Sequence, residues 1–124
     1  MKPYCEIVAQ IVLPNLRALI AKELMDEYNY TQQDAAKKLG LTQSAVSQYL
    51  RNLRGSQTKI LEKDEKICKL IKNFAKELAS GEMDSSKSLN SFCQLCKSIR
   101  KTKTICQLHR KAFPDLKECN ICTC

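Results

Sequence analysis

Six of the eight cysteines in this 124-residue chain fall in its last 32 residues, at a spacing suited to metal ligation. The run reads Cys93-x2-Cys96-x9-Cys106-x2-His109-x9-Cys119-x2-Cys122-x-Cys124. A Cys-x2-Cys pair offers two thiolates to one metal, because a turn between them directs both side chains to the same side. Zn2+ suits Cys93, Cys96, Cys106 and His109 as a tetrahedral Cys3His set, leaving Cys119, Cys122 and Cys124 one ligand short of a second. A [4Fe–4S] cluster takes four thiolates from Cys93, Cys96, Cys106, Cys119 and Cys122, with His109 and Cys124 as further candidates. Six thiols against one histidine favour the cluster. Zn2+ is the alternative, and a reversible dithiol switch is a third. Lys97, Arg100, Lys101, Lys103, Arg110 and Lys111 would offset the thiolate charge in either metal site. The two remaining cysteines, Cys5 and Cys68, lie on apolar-patterned helical stretches and read as buried small apolar residues.

A second constellation lies upstream, in residues 31–51. Outward positions on a short helix starting near Gln43 are Gln43, Ser44, Ser47, Gln48 and Arg51. Amides and hydroxyls of this kind hydrogen-bond base edges and phosphates in the major groove, where a solubilising face would use Lys and Glu. Gln43 and Ser44, at the helix start, are the expected base readers, followed by Gln48. Gln32, Arg51, Arg54 and Lys59 are expected on phosphate.

The elements that must hold these residues follow from capping and periodicity. Residues 3–29 read as helical, with Pro14 starting a new helix or kinking a longer one. Leu16, Leu19, Ile20, Leu24 and Tyr28 recur at spacings of three and four. Before them, Ile7, Val8, Ile11 and Val12 make an apolar face that caps the core or pairs with a second copy of the chain. Thr31 is an N-cap, with Asp34 near the positive helix end. Ala36 is the small residue two steeply crossing helices need at their contact, and Gly40 tolerates the left-handed turn. Thr42 caps the second helix, and Leu39, Leu41, Val46 and Leu50 pin the pair to a core. Asn52 to Thr58 reads as a loop. A further helix from about Leu61 to Ala79 carries Ile67, Leu70, Ile71, Phe74 and Leu78 on one face and ends at Gly81. The polar, serine-rich residues 81–91 read as a linker.

Residues 31–55, with Ala45-Val46-Ser47-Gln48-Tyr49-Leu50 before Arg54-Gly55, resemble the lambda-repressor-like (XRE-type) helix-turn-helix family. Pro3-Tyr4-Cys5-Glu6-Ile7-Val8, Val12-Leu13-Pro14 and Arg17-Ala18 resemble one archaeal branch of predicted regulators in that family, whose members tend to end in a cysteine-rich tail. The resemblance implies a transcriptional regulator that binds a double-stranded DNA operator as a homodimer.

The expected fold class is all-α: a lambda-repressor-like helix-turn-helix bundle with an extra N-terminal helix and a small C-terminal cysteine-rich metal-binding module. The expected division is a helical DNA-binding domain over 1–80, a linker over 81–91 and the module over 92–124. Net charge is +8, and it is unevenly placed. Residues 1–59 hold 8 Lys/Arg against 5 Asp/Glu, residues 60–91 hold 6 against 6, and residues 92–124 hold 7 against 2. Both basic segments suit a polyanionic partner. No apolar run reaches the roughly 18–20 residues of a membrane span, and no signal-peptide pattern opens the chain, so a cytoplasmic protein without a membrane partner is expected. No Ser/His/Asp set, phosphate-binding glycine loop or paired carboxylates suggest an enzyme or a small-molecule substrate. The reading from another class is a protein-interaction adaptor that uses the helix-turn-helix only as scaffold.

Overall fold

A computed structural model describes residues 6, 8–52, 61–82, 84–112 and 115. The chain is all-helical over these residues. A π-helical turn, Val8–Val12, leads into α1 (Leu13–Tyr28), α2 (Gln32–Leu39) and α3 (Gln43–Asn52). After them come α4 (Glu65–Ala79), α5 (Ser85–Arg100) and α6 (Lys103–Ala112).

Pro14 starts a new helix, the first of the two outcomes its ring allows. It sits in the first turn of α1, where a missing N–H leaves no intrahelical bond unmade. The wider π turn joins directly onto that first turn, and the Asn15 side-chain amide donates to the Ile11 carbonyl at 2.8 Å. Part of the N-terminal apolar face is thereby used inside the molecule. Val12 is buried, and Val8 and Ile11 pack half-buried against the core.

Local signals set the next boundaries. Asn29 ends α1 in the left-handed region (φ 56°), a conformation Asn tolerates better than most side chains. Thr31 and Asp34 form a reciprocal capping box: Thr31 Oγ1 accepts from the Asp34 N–H at 3.1 Å, and the Asp34 carboxylate accepts from the Thr31 N–H at 3.4 Å. Gly40 closes α2 at φ 67°, and the Leu41 N–H returns to the Ala36 carbonyl at 2.8 Å. Thr42 Oγ1 then accepts from the Ala45 N–H at 3.1 Å and starts α3. Asp64 caps α4 by accepting from the Lys66 and Ile67 N–H groups at 2.9 and 3.4 Å.

One hydrophobic core joins all of these helices up to α5. Leu16, Ile20 and Leu24 of α1 meet Ala35 and Ala36 of α2, Val46 of α3, Leu61, and Ile67, Ile71, Phe74 and Leu78 of α4. Leu16, Ile20 and Leu24 have no exposed surface, and each such side chain contributes about 1.5–3 kcal/mol by leaving water. α1 is the hub, packed against α2, α3 and α4.

Most of the expected linker is helical. Residues 85–91 form the first turns of α5, with the Asp84 carboxylate accepting from the Lys87 N–H at 2.8 Å as N-cap. The cause is tertiary as well as local: Leu95 and Ile99 of α5 are buried in the same core, and the Phe92 ring lies 5.8 Å from that of Phe74, tilted by 58°. Serine's modest helix propensity is outweighed by this apolar stripe. α6 packs on α5 and is tied back to α4, because Thr104 Oγ1 donates to the Asp64 carboxylate at 2.7 Å. α3 also runs one residue further than the sequence suggested, taking in Asn52.

Candidate nucleic-acid interface

The turn between α2 and α3 presents the outer face of α3 to solvent. Val46 is completely buried beneath it, and Leu39, Leu41 and Leu50 are half-buried against the core, so the face is held by apolar pins on its inner side. Thr42 places Gln43 and Ser44 in the first turn of α3. Both side chains are exposed.

An open cleft of about 580 Å³ runs along this face. Gln32, Gln43, Ser44, Ser47, Gln48 and Arg51 all line it, together with Asn52. Every side chain proposed from the sequence for DNA contact that falls among the described residues therefore meets at one surface. Arg54 and Lys59 lie outside the described residues. Asn52, expected in the following loop, is the last residue of α3, and its position four residues after Gln48 and eight after Ser44 is the helical repeat that signals it. No carboxylate lines the cleft among the described residues. Asp34, the nearest acidic residue in sequence, is engaged in the capping box. The Arg51 guanidinium donates to Ser47 Oγ at 3.3 Å one turn back, which orients the cation along the helix. The arrangement offers neutral amides and hydroxyls near the helix start and a cation near its end. Such a face can hydrogen-bond base edges and neutralise phosphate, and it holds no acid–base pair for catalysis.

The cysteine constellation is less assembled. Cys93 and Cys96 lie within α5, so helical spacing of three, rather than a turn, puts them on one face. Cys93 is exposed and Cys96 half-buried. Burial pushes the Cys96 thiol up from its ordinary value, the neighbouring Cys93 adds to this, and the Arg17 guanidinium partly opposes it. Cys106 is buried on α6, where His109 is half-buried one turn on. Among the described residues, no three His, Cys, Asp or Glu side chains come together as a metal site. Cys119, Cys122 and Cys124 lie outside the described residues, as does Cys5. Cys68 is half-buried rather than buried, because its position on α4 lies at the edge of the core; its Sγ donates to the Glu62 carbonyl at 3.1 Å.

Comparison with protein families agrees with the geometry. A helix-turn-helix family model matches residues 22–63, a span containing the second half of α1, all of α2 and α3, and nearly all of the segment leading to α4. The match shows a helix-turn-helix over those residues and supports the XRE type; it ends before the cysteine tail and does not bear on the archaeal branch. No curated protein and no solved structure matches the chain. No helix among the described residues is long and apolar enough to cross a membrane.

Proposed function

We propose that the chain is a sequence-specific DNA-binding transcriptional regulator that places α3 in the major groove. The convergence of Gln32, Gln43, Ser44, Ser47, Gln48 and Arg51 on one carboxylate-free cleft carries this reading, and the family match over the same helices supports it. Gln43, Ser44 and Gln48 read base edges. Gln32 at the start of α2, Ser47, Arg51 and Asn52 hold the backbone, joined by Arg54 and Lys59. The protein acts as a homodimer on a two-fold operator, as its resemblance to repressors of this type implies. The test is binding to an operator selected from a random duplex library. Gln43→Ala with Ser44→Ala should remove about 2–6 kcal/mol of discrimination, at about 1–3 kcal/mol per good base contact, with unchanged circular dichroism. Retained specificity in that folded variant would return the helix-turn-helix to a scaffold and favour the adaptor reading.

The cysteine tail supplies the regulatory input in this proposal. Cys93 and Cys96, adjacent on one face of α5, are half of a four-ligand set, and the Cys119-x2-Cys122 spacing with Cys106 offers the other half. A [4Fe–4S] cluster bound there would supply redox and iron sensitivity, and Zn2+ would supply structure alone. Cys93 keeps a solvent-facing thiol for ligation, while the buried Leu95 and Ile99 tie that ligand helix to the core beneath α1. Protein purified without oxygen should be brown, absorb broadly near 400 nm and bleach in air. Colourless protein with stoichiometric zinc would overturn the sensor.

A further inference from the structure

At the C-terminal end of α2 lies a second groove of about 480 Å³. Its floor is apolar: Phe74 and Leu78 of α4 are buried there, and Phe92 of α5 is half-buried beside them. Leu89 stands at its edge, 65% exposed, the more open of the two exposed large apolar side chains among the described residues. Cations flank this floor. Arg17 comes from α1, and Lys37 and Lys38 come from the last turn of α2; no carboxylate lines the groove among the described residues.

We propose that this groove docks an acidic segment of a partner protein, anchored by one or two large apolar side chains. Charge chooses this occupant over the others. A second copy of the chain brings a net +8 to a cationic rim and is repelled. DNA matches the rim but has nothing apolar to cover Leu89, Phe92 and the floor beneath them. An amphipathic acidic helix satisfies both: its apolar face covers the floor, and its carboxylates meet Arg17, Lys37 and Lys38.

The groove shares a helix with the DNA cleft but no residue. The first residue of α2, Gln32, lines the cleft, and its last turn lines the groove. A partner can therefore bind the regulator while it is on DNA, and in doing so it touches the α2–α3 turn itself at Leu39 and Gly40. Recruitment of a second protein to an operator is the function this assigns.

The test uses the full chain and a fluorescent helical peptide carrying Leu and Phe at spacings of three and four among Glu and Asp, with Gln and Lys versions as controls. Anisotropy should show saturable binding of the acidic version alone, with and without operator DNA. Leu89→Asp should weaken it about tenfold or more. Because Leu89 is exposed, that variant should keep its fold and its DNA affinity. Lys37→Glu with Lys38→Glu should weaken the acidic peptide to a similar degree. Equal binding by Leu89→Asp would reduce the attraction to charge alone and overturn the groove. Self-association abolished by Leu89→Asp would give the surface to a second copy instead, and loss of acidic-peptide binding in the presence of operator would overturn docking on DNA.

Discussion

The polar face of α3 and the cysteines of α5 and α6 were both marked in the sequence by residue type at a telling spacing, yet folding treats them differently. Six DNA-contact candidates meet in one cleft. Of the cysteines, Cys93 and Cys96 meet on a helix face, while Cys106 is buried on the next helix. The cleft lies within 21 residues on two helices whose inner faces are pinned by Ala36, Val46 and their neighbours. A helical period alone then brings its outer residues together. A four-thiolate site drawn from Cys93 to Cys122 must close over some thirty positions, and closing such a loop costs chain entropy that a bound metal can offset. Spacing is a sufficient guide within one element and an incomplete one across several.

The tail helices are expected to belong to the same folding unit as the helix-turn-helix. Leu95→Ala empties a fully packed position on α5, and such truncations cost about 2–5 kcal/mol. Urea denaturation should show the loss in a single transition reported equally by far-ultraviolet circular dichroism and by amide exchange in α1. Two separate transitions, with only the later residues affected, would break the comparison and restore an independent tail.

A smaller effect is expected where α6 meets α4. Thr104 donates to Asp64, and this bond, with those from the Ile67 and Lys66 N–H groups and the charge of Lys66, holds the Asp64 carboxyl below its usual range against a partial opposing effect of burial. A carboxyl lowered by folding stabilises the native state above its unfolded value, near about 4, and that contribution fades as pH falls through the lowered folded value. Asp64→Ala should therefore cost about 1 kcal/mol near neutral pH, the usual loss for an N-cap. The gap to the native chain should narrow below pH about 4. A gap independent of pH across that range would show that the Asp64 charge contributes nothing to the joint.

Much of the fold was legible because its signals are local. Thr31, Gly40, Thr42 and Gly81 mark boundaries through bonds or backbone angles spanning a few residues, and the stripes of α1 and α4 repeat within each helix. The first turns of α5 were not legible in that way. Serines at 85, 86, 88 and 91 suggest a linker, although Asp84 as a cap and the run Leu89, Phe92, Leu95, Cys96, Ile99 carried the helical signal. Asn52 was lost at a helix end, where one residue decides between loop and face.

By itself, then, the sequence determined the helix-turn-helix, its caps and the identities of the side chains on its outer face, since each depends on neighbours three or four positions away. Only the tertiary structure decided that α5 shares the core through Leu95 and Ile99. It also joined Thr104 to Asp64 across forty positions, and brought α1, α2, α4 and α5 together around a cationic apolar groove. Such contacts depend on surfaces that match across the chain, and no periodicity within a single element encodes that match.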